Sequence, residues 1–279
     1  MKKIIKNTNR VLSRLNHDFK NYHLFSLIEP LSKKFDFKKN YKLKISNRII
    51  DRVSKYALYL NSNKPTPKKN DLWNEIEEEV GHKDFMDLIC KTKKYNKKLK
   101  KLLIDLGKTN LLLGYGPNRK SCIELQSNKF KKDEKYFFFD YLISISEYYE
   151  YIKVFNPEQG GWMIEEMDYD NLVNRIFKKR NISVFKTPNY YYGYKYKNDY
   201  IFLKDLKGLY AAEQLKKIYK NNDLSEIVEI GAGIGYTCHY LRQLIKTKYT
   251  LYDLPFSSIM QAIYLMISIG ENNVHLDNE

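Results

Sequence analysis

Between Ser225 and Asp253 the sequence holds a pattern that few folds accept. An apolar run through Ile227, Val228 and Ile230 meets three glycines at 231, 233 and 235, then a helical stretch from Tyr236 to Lys246. A second apolar run, Lys248 to Tyr252, ends on Asp253. Alternate glycines let a backbone turn sharply and approach a ligand with no Cβ in the way, and the helix that follows offers free N–H groups at its start. Strand, glycine turn, helix and strand in that order define a βαβ unit, and parallel strands of this kind are normally buried on both faces. The first strand is therefore expected to be buried. Asp253 stands 22 positions after Gly231, where a carboxylate at the end of the second strand meets the ribose hydroxyls of a bound nucleotide.

Two nucleotide classes use such a unit, and position 236 separates them. A dinucleotide fingerprint, Gly-x-Gly-x-x-Gly, needs glycine there, and the residue is Tyr236. This disfavours NAD or FAD, and a purely structural glycine turn remains as another alternative. With Glu229 two residues ahead of Gly231, the run Glu-x-Gly-x-Gly-x-Gly resembles the first motif of Rossmann-like S-adenosylmethionine-dependent methyltransferases. Further on, Tyr252 to Pro255 and Ser257 to Leu265 are similar to the Asp-Leu-Pro and Ala-x-x-Tyr-Leu arrangement of the sugar O-methyltransferase family. The upstream pieces Gly193 to Lys195 and Leu206 to Ala212 keep that family's order, and Leu72, Trp73 and Leu113 to Tyr115 are fainter echoes. The resemblance implies S-adenosylmethionine as cofactor, held by Glu229, Gly231, Ala232, Gly233, Gly235, Asp253, Leu254 and Tyr210. It also implies a sugar or sugar-containing small molecule as acceptor, and no metal.

The chain departs from the family in one respect. The family's sheet has seven strands, and only 26 residues follow Asp253. They are enough for a helix opened by Pro255 and stopped by Gly270, and for a beginning at Val274 to Leu276. The expectation is an incomplete Rossmann-like methyltransferase sheet with an exposed edge that could self-associate, and a chain that binds the cofactor weakly or not at all. A non-catalytic binding module is an alternative on the same ground. No catalytic base is assigned: His239 reads as a packed residue of the helix after the glycine loop, and His275 is the better placed of the two.

Composition narrows the partners. The chain has 279 residues, 43% of them hydrophobic, with 49 Lys+Arg against 33 Asp+Glu and a formal charge of +16. Only 8 of the 49 are Arg. Planar bidentate recognition of phosphate and base edges favours Arg over Lys, so nucleic acid is unlikely and an RNA methyltransferase is the secondary reading. Lys97, Lys98, Lys100 and Lys101 flank Leu99, Leu102 and Leu103 as a solvated helix face would. Three cysteines, Cys90, Cys122 and Cys238, lie far apart with no CxxC pair, which fits reduced thiols in the cytoplasm. The basic N-terminus shows no export signal, and Ile259 to Ile269 falls far short of the roughly 20 residues of a membrane span.

The fold class read from these patterns is α/β, with a mostly helical cap and substrate region over 1–180 and a partial cofactor domain over 181–279. Residues 1–60 read as helical, with Ile45, Ile49, Ile50, Val53 and Leu58 at helical spacing. A loop over 61–70 is followed by a helix behind Asp71, by helices at 84–93 and 96–107, and by a turn at 113–117. Phe138, Leu142, Ile145, Tyr149 and Ile152 form a core stripe along one helix. Gly160 to Trp162 reads as a turn, 170–179 as a helix and Ile182 to Phe185 as a short strand. Five tyrosines within 190–196 either present flat faces to a ligand or pack as a twisted hairpin. A helix over 205–220 leads into the glycine loop.

Overall fold

The structure, a computed structural model, describes residues 34–38, 43–63, 80–111, 128–153, 168–222 and 225–279. Among them lie eight α-helices and two small sheets, a mixed α/β arrangement. Strands β1 (Phe35–Phe37), β2 (Tyr192–Tyr196) and β3 (Asp199–Ile201) form one antiparallel sheet in the order β1-β2-β3. Strands β4 (Glu226–Ile230) and β5 (Lys248–Tyr252) form a parallel pair, with Val228 opposite Thr250 and Ile230 opposite Tyr252.

Helix α1 (Asn47–Ser62) starts where the Ser46 side chain accepts the N–H of Ile49, and it buries Ile49, Ile50, Val53, Tyr56 and Ala57. That spacing is one apolar face of a helix, and a serine cap satisfies a donor the first turn leaves open. Helices α2 (His82–Cys90) and α3 (Thr92–Ile104) follow, then α4 (Asn128–Tyr148) and α5 (Tyr169–Val173), which widens into a π-helical turn over Asn174–Lys178. Helix α6 (Leu203–Asn222) packs on α4 and on α7 (Tyr236–Leu244). Helix α8 (Pro255–Ile269) has proline in its first turn, stops at Gly270, and buries every residue from Phe256 to Met266 except Ser258. It packs on α1, and one continuous cluster of buried side chains runs from Phe35 to Leu276 across the 180/181 boundary.

Several sequence expectations change. The 1–60 region is not helical throughout, because Phe35, Asp36 and Phe37 pair with Tyr194, Gly193 and Tyr192. No strand forms over Ile182 to Phe185, although all three apolar side chains are buried. Side chains of α7 take the place of a ladder there: Gln243 Oε1 accepts the Ser183 N–H at 2.7 Å, and His239 Nε2 lies 2.9 Å from the Ser183 carbonyl. Strand β4 is open rather than buried, with Val228 55% and Ile230 83% exposed. Among the described residues, helices cover only the face of the pair that carries Ile227 and Glu229. Val274 to Leu276 form no strand; Arg52 of α1 instead donates to the carbonyls of Glu271 and Val274, both at 2.6 Å. The tyrosine segment is the hairpin β2–β3, with Tyr191, Tyr192 and Tyr194 buried. Phe138, Leu142 and Ile145 are core. The expected helix behind Asp71, the turns at 113–117 and 160–162, Trp73 and Trp162 lie outside the described residues, as do His17, His23 and Cys122.

Candidate functional site

The glycine loop joins β4 to α7 in a conformation that only glycine adopts without strain. Gly231, Gly233 and Gly235 have φ of +73°, +62° and +92°, in the left-handed region where a Cβ collides with the following carbonyl. At Gly231 nothing lies within 4 Å of where a Cβ would stand, so the loop is open on that side. At Gly235 a Cβ would meet Leu265 of α8 at 3.0 Å, so the third glycine serves close packing as well as the turn. The Gly235 N–H donates back to the Ala232 carbonyl at 3.1 Å, and the Gly231 N–H donates to the Tyr252 carbonyl at 2.9 Å. The second bond carries the parallel pairing past the last strand residue and brings the end of β5 against the loop.

Asp253 follows at that end. Its Oδ2 accepts the Gly233 N–H at 3.1 Å and the Gln261 side-chain amide at 2.8 Å, while Oδ1 accepts the Leu254 N–H at 2.8 Å. Its own carbonyl accepts from the Ser258 hydroxyl at 3.2 Å. Leu254 caps the start of α8, and Gln261 lies two turns along that helix, 3% exposed. Loop, strand end and helix thus meet on one half-buried carboxylate. Ionised carboxylates in such settings are strong acceptors, and donors from three elements fix this one in place.

Glu229 points to the helix-covered side of the sheet. Its Oε2 accepts the Tyr249 hydroxyl at 2.7 Å, and burial raises its carboxyl above the usual range against the hydrogen bonds from Tyr249 and Thr237. Tyr249 is raised in turn, by burial first and then by Glu229. The pair ties β4 to β5 beneath the loop.

Tyr210 is not brought to the loop. Two residues earlier on α6, Gly208 lies so close to α7 that a Cβ would meet the Tyr236 Cβ at 2.8 Å. Tyr210 points elsewhere, 41% exposed, edge-on to Tyr148 with ring centroids 6.1 Å apart. It lines a groove of about 490 Å³ with Asp140, Tyr141, Ser144 and Glu147 of α4. A cavity of about 740 Å³ runs along the free edge of β5 between Tyr252, Gln261, Leu265 and the Val274 to Asp277 segment.

His239 is fully buried, and burial pulls its imidazole down to about 4, so it stays neutral near pH 7. Its hydrogen bond to Ser183 makes it a packing residue. His275 is exposed on the wall of the β5 cavity. His82 stacks on Phe256, centroids 3.7 Å apart. No histidine side chain among the described residues is hydrogen-bonded to the glycine loop; His239 meets it through its backbone N–H, which donates to the Gly235 carbonyl at 3.0 Å. Nor does any group of three His, Cys, Asp or Glu residues among them form a metal cluster. No described helix is long and apolar enough to cross a membrane.

Sequence reasoning did not single out Gln261 or Tyr249. Gln261 left a trace: it is a lone amide between Met260 and Ala262 in a run of apolar residues, eight positions after Asp253. A buried polar side chain needs a partner, and the carboxylate at the helix start is within reach. Compared with known proteins, the chain matches no family model, no curated protein and no solved structure.

Proposed function

We propose that this chain carries the nucleoside-holding part of an S-adenosylmethionine-dependent O-methyltransferase acting on a sugar hydroxyl. On this reading, β4, the glycine loop, α7, β5 and α8 are the opening of a Rossmann-like sheet. The observation that carries it is the Asp253 carboxylate, hydrogen-bonded across to Gly233 at the joint ends of two parallel strands. That position suits ribose hydroxyls, and the open side at Gly231 suits a ligand lying against backbone. The residues present fit a nucleoside by the chemistry of their donors and acceptors. The sugar acceptor rests on the resemblance of Asp253 to Pro255 and Ala262 to Leu265.

S-adenosylmethionine supplies a sulfonium methyl group open to in-line attack by a hydroxyl. Asp253 accepts hydrogen bonds from ribose hydroxyls, Gly231 and Gly233 admit the ligand to backbone distance, and Leu254 starts the helix that fixes the acid. Glu229 holds the strands together from below through Tyr249. Removal of the acceptor's proton is assigned to no residue.

The test is binding of S-adenosylhomocysteine, the demethylated product, followed by ligand-observed NMR with NAD as control. With a two-stranded parallel sheet among the described residues, the expected affinity is weak, in the millimolar range. Asp253→Ala is expected to lower it roughly tenfold, the size of a lost hydrogen bond to a charged group. Equal binding of NAD, or equal binding by the Asp253→Ala protein, would overturn the proposal.

A further inference from the structure

Asp253 is crowded for an acid that is to hold a ribose. A carboxylate offers about four lone-pair positions, and the N–H groups of Gly233 and Leu254 and the Gln261 amide take three of them. Two neighbouring ribose hydroxyls need two. One existing bond must therefore give way when both hydroxyls are held.

The three donors differ in freedom. Leu254 follows Asp253 directly, so its bond is fixed by the turn into α8. Gln261 is 3% exposed on α8, between Met260 and Ala262 and beside the β5 cavity, and swinging away would break its bond to Asp253, with no other acceptor bonded to its amide among the described residues. Gly233 sits in the loop at φ +62°, with no side chain to hold it. Its bond to Asp253 is also the longest of the three at 3.1 Å.

We infer that Gln261 is the positioning residue for ribose recognition: it holds Asp253 Oδ2 from the core while the Gly233 N–H is the bond exchanged for a ribose hydroxyl. This rests on the nucleoside-binding reading above. Gln261 touches no ligand. It fixes the carboxylate's rotation, so that Oδ2 still faces the loop when Gly233 lets go. The freed Gly233 N–H then becomes a donor to the bound molecule, which couples ribose recognition to the shape of the loop.

The experiment compares S-adenosylhomocysteine with its 2′-deoxyribose analogue on the wild-type protein and on Gln261→Met, which keeps the side chain's length without the amide. Wild type is expected to prefer the ribose compound about tenfold, one hydrogen bond to a charged acceptor. In Gln261→Met that preference should fall to within about twofold, with affinity for the deoxy compound unchanged and the melting temperature little moved. Equal loss for both compounds would mark Gln261 as merely structural and overturn the inference, as would an unaltered preference. Wild-type protein that binds neither compound would overturn the nucleoside reading itself, and the inference with it. A second readout needs no variant: on saturation the wild-type Gly233 amide should shift and exchange faster with the ribose compound than with the deoxy one. An amide that responds equally to both would count against the exchange.

Discussion

Strands β2 and β4 invert what their sequences suggest. Tyr-Gly-Tyr-Lys-Tyr, polar and glycine-broken, lies between β1 and β3 with Tyr192 and Tyr194 buried against Phe35 and Phe138. Glu-Ile-Val-Glu-Ile, the more hydrophobic of the two, leaves Val228 and Ile230 open to solvent beside Tyr252, itself 57% exposed. Alternation marks the first as a strand, and a short apolar run ahead of the glycines marks the second. What lies over the strand is set by other elements: α4 closes over the first sheet with Phe138 and Phe139, backed by Tyr169 of α5, and no described element lies over the outer face of the second. Apolarity alone therefore misjudges which sheet contributes more to stability.

The largest effect that would break this contrast lies in the aromatic wall. Phe138 packs edge-on to Phe35 at 5.1 Å and stacks with Tyr194 at 5.6 Å. Phe138→Ala should cost about 3–5 kcal/mol in urea unfolding, and a loss below about 1 kcal/mol would show that the wall is not the stabilising layer.

Next in size is the pH dependence of the junction where α6 meets α7. Asp205 is wholly buried there, and burial pushes its carboxyl up to about 7, against the bonds it accepts from Tyr240 and the Phe202 N–H. The folded state keeps that proton after the unfolded chain has lost it, so stability falls as pH rises from about 4 to about 7. His239 acts in the opposite sense. Burial pulls it down to about 4, so its contribution is complete above pH 6.5 and lost as pH falls towards 4. The two slopes oppose each other over most of this window. Asp205→Asn should leave a protein that weakens on acidification from pH 6.5 to 4, by up to about 1.4 kcal/mol per pH unit. His239→Gln should leave one that strengthens over the same range. Urea midpoints at pH 4, 5 and 6.5 would separate them, and slopes of the same sign in both variants would refute the opposition.

The smallest effect belongs to the open sheet face. Ile230→Thr should change stability by no more than about 0.5 kcal/mol, as for an exposed site away from packing contacts. A loss above about 2 kcal/mol would mean that Ile230 is covered in solution.

What was legible in the sequence was local. The three glycines demand positive φ, and the chain between them leaves few alternatives, so β5 from Lys248 to Tyr252 and a helix opening at Pro255 follow from spacing. Asp253 at the loop was readable for the same reason. The partnership of Phe35 with Tyr194 was not, because the pairing crosses most of the chain and three residues carry too little periodicity to announce a strand. Ser183 misled because Ile182, Val184 and Phe185 have a strand's composition, while Gln243 and His239 supply its hydrogen bonds from a helix. Tyr210 sits in a segment, Leu206 to Ala212, that leads into the loop in sequence, yet helix phase turns it away: Gly208 takes the contact with α7, and two residues on the side chain points to α4.

The Arg52 contacts reach beyond the folded state. Arg52 and Ser46 grip Glu271, Val274 and Glu279, and α1 lies on α8 as well as on α2 and α3, so the first of the described helices makes these contacts more than 200 residues downstream. At a synthesis rate of roughly 5–20 residues per second, those residues take on the order of 10–40 s to appear. For that interval the stripe of Ile49, Ile50, Val53 and Tyr56 leaves the ribosome with no α8 to cover it. Docking of α1 on α8 therefore waits for the synthesis of residues 255–269, while its contacts with α2 and α3 can form earlier.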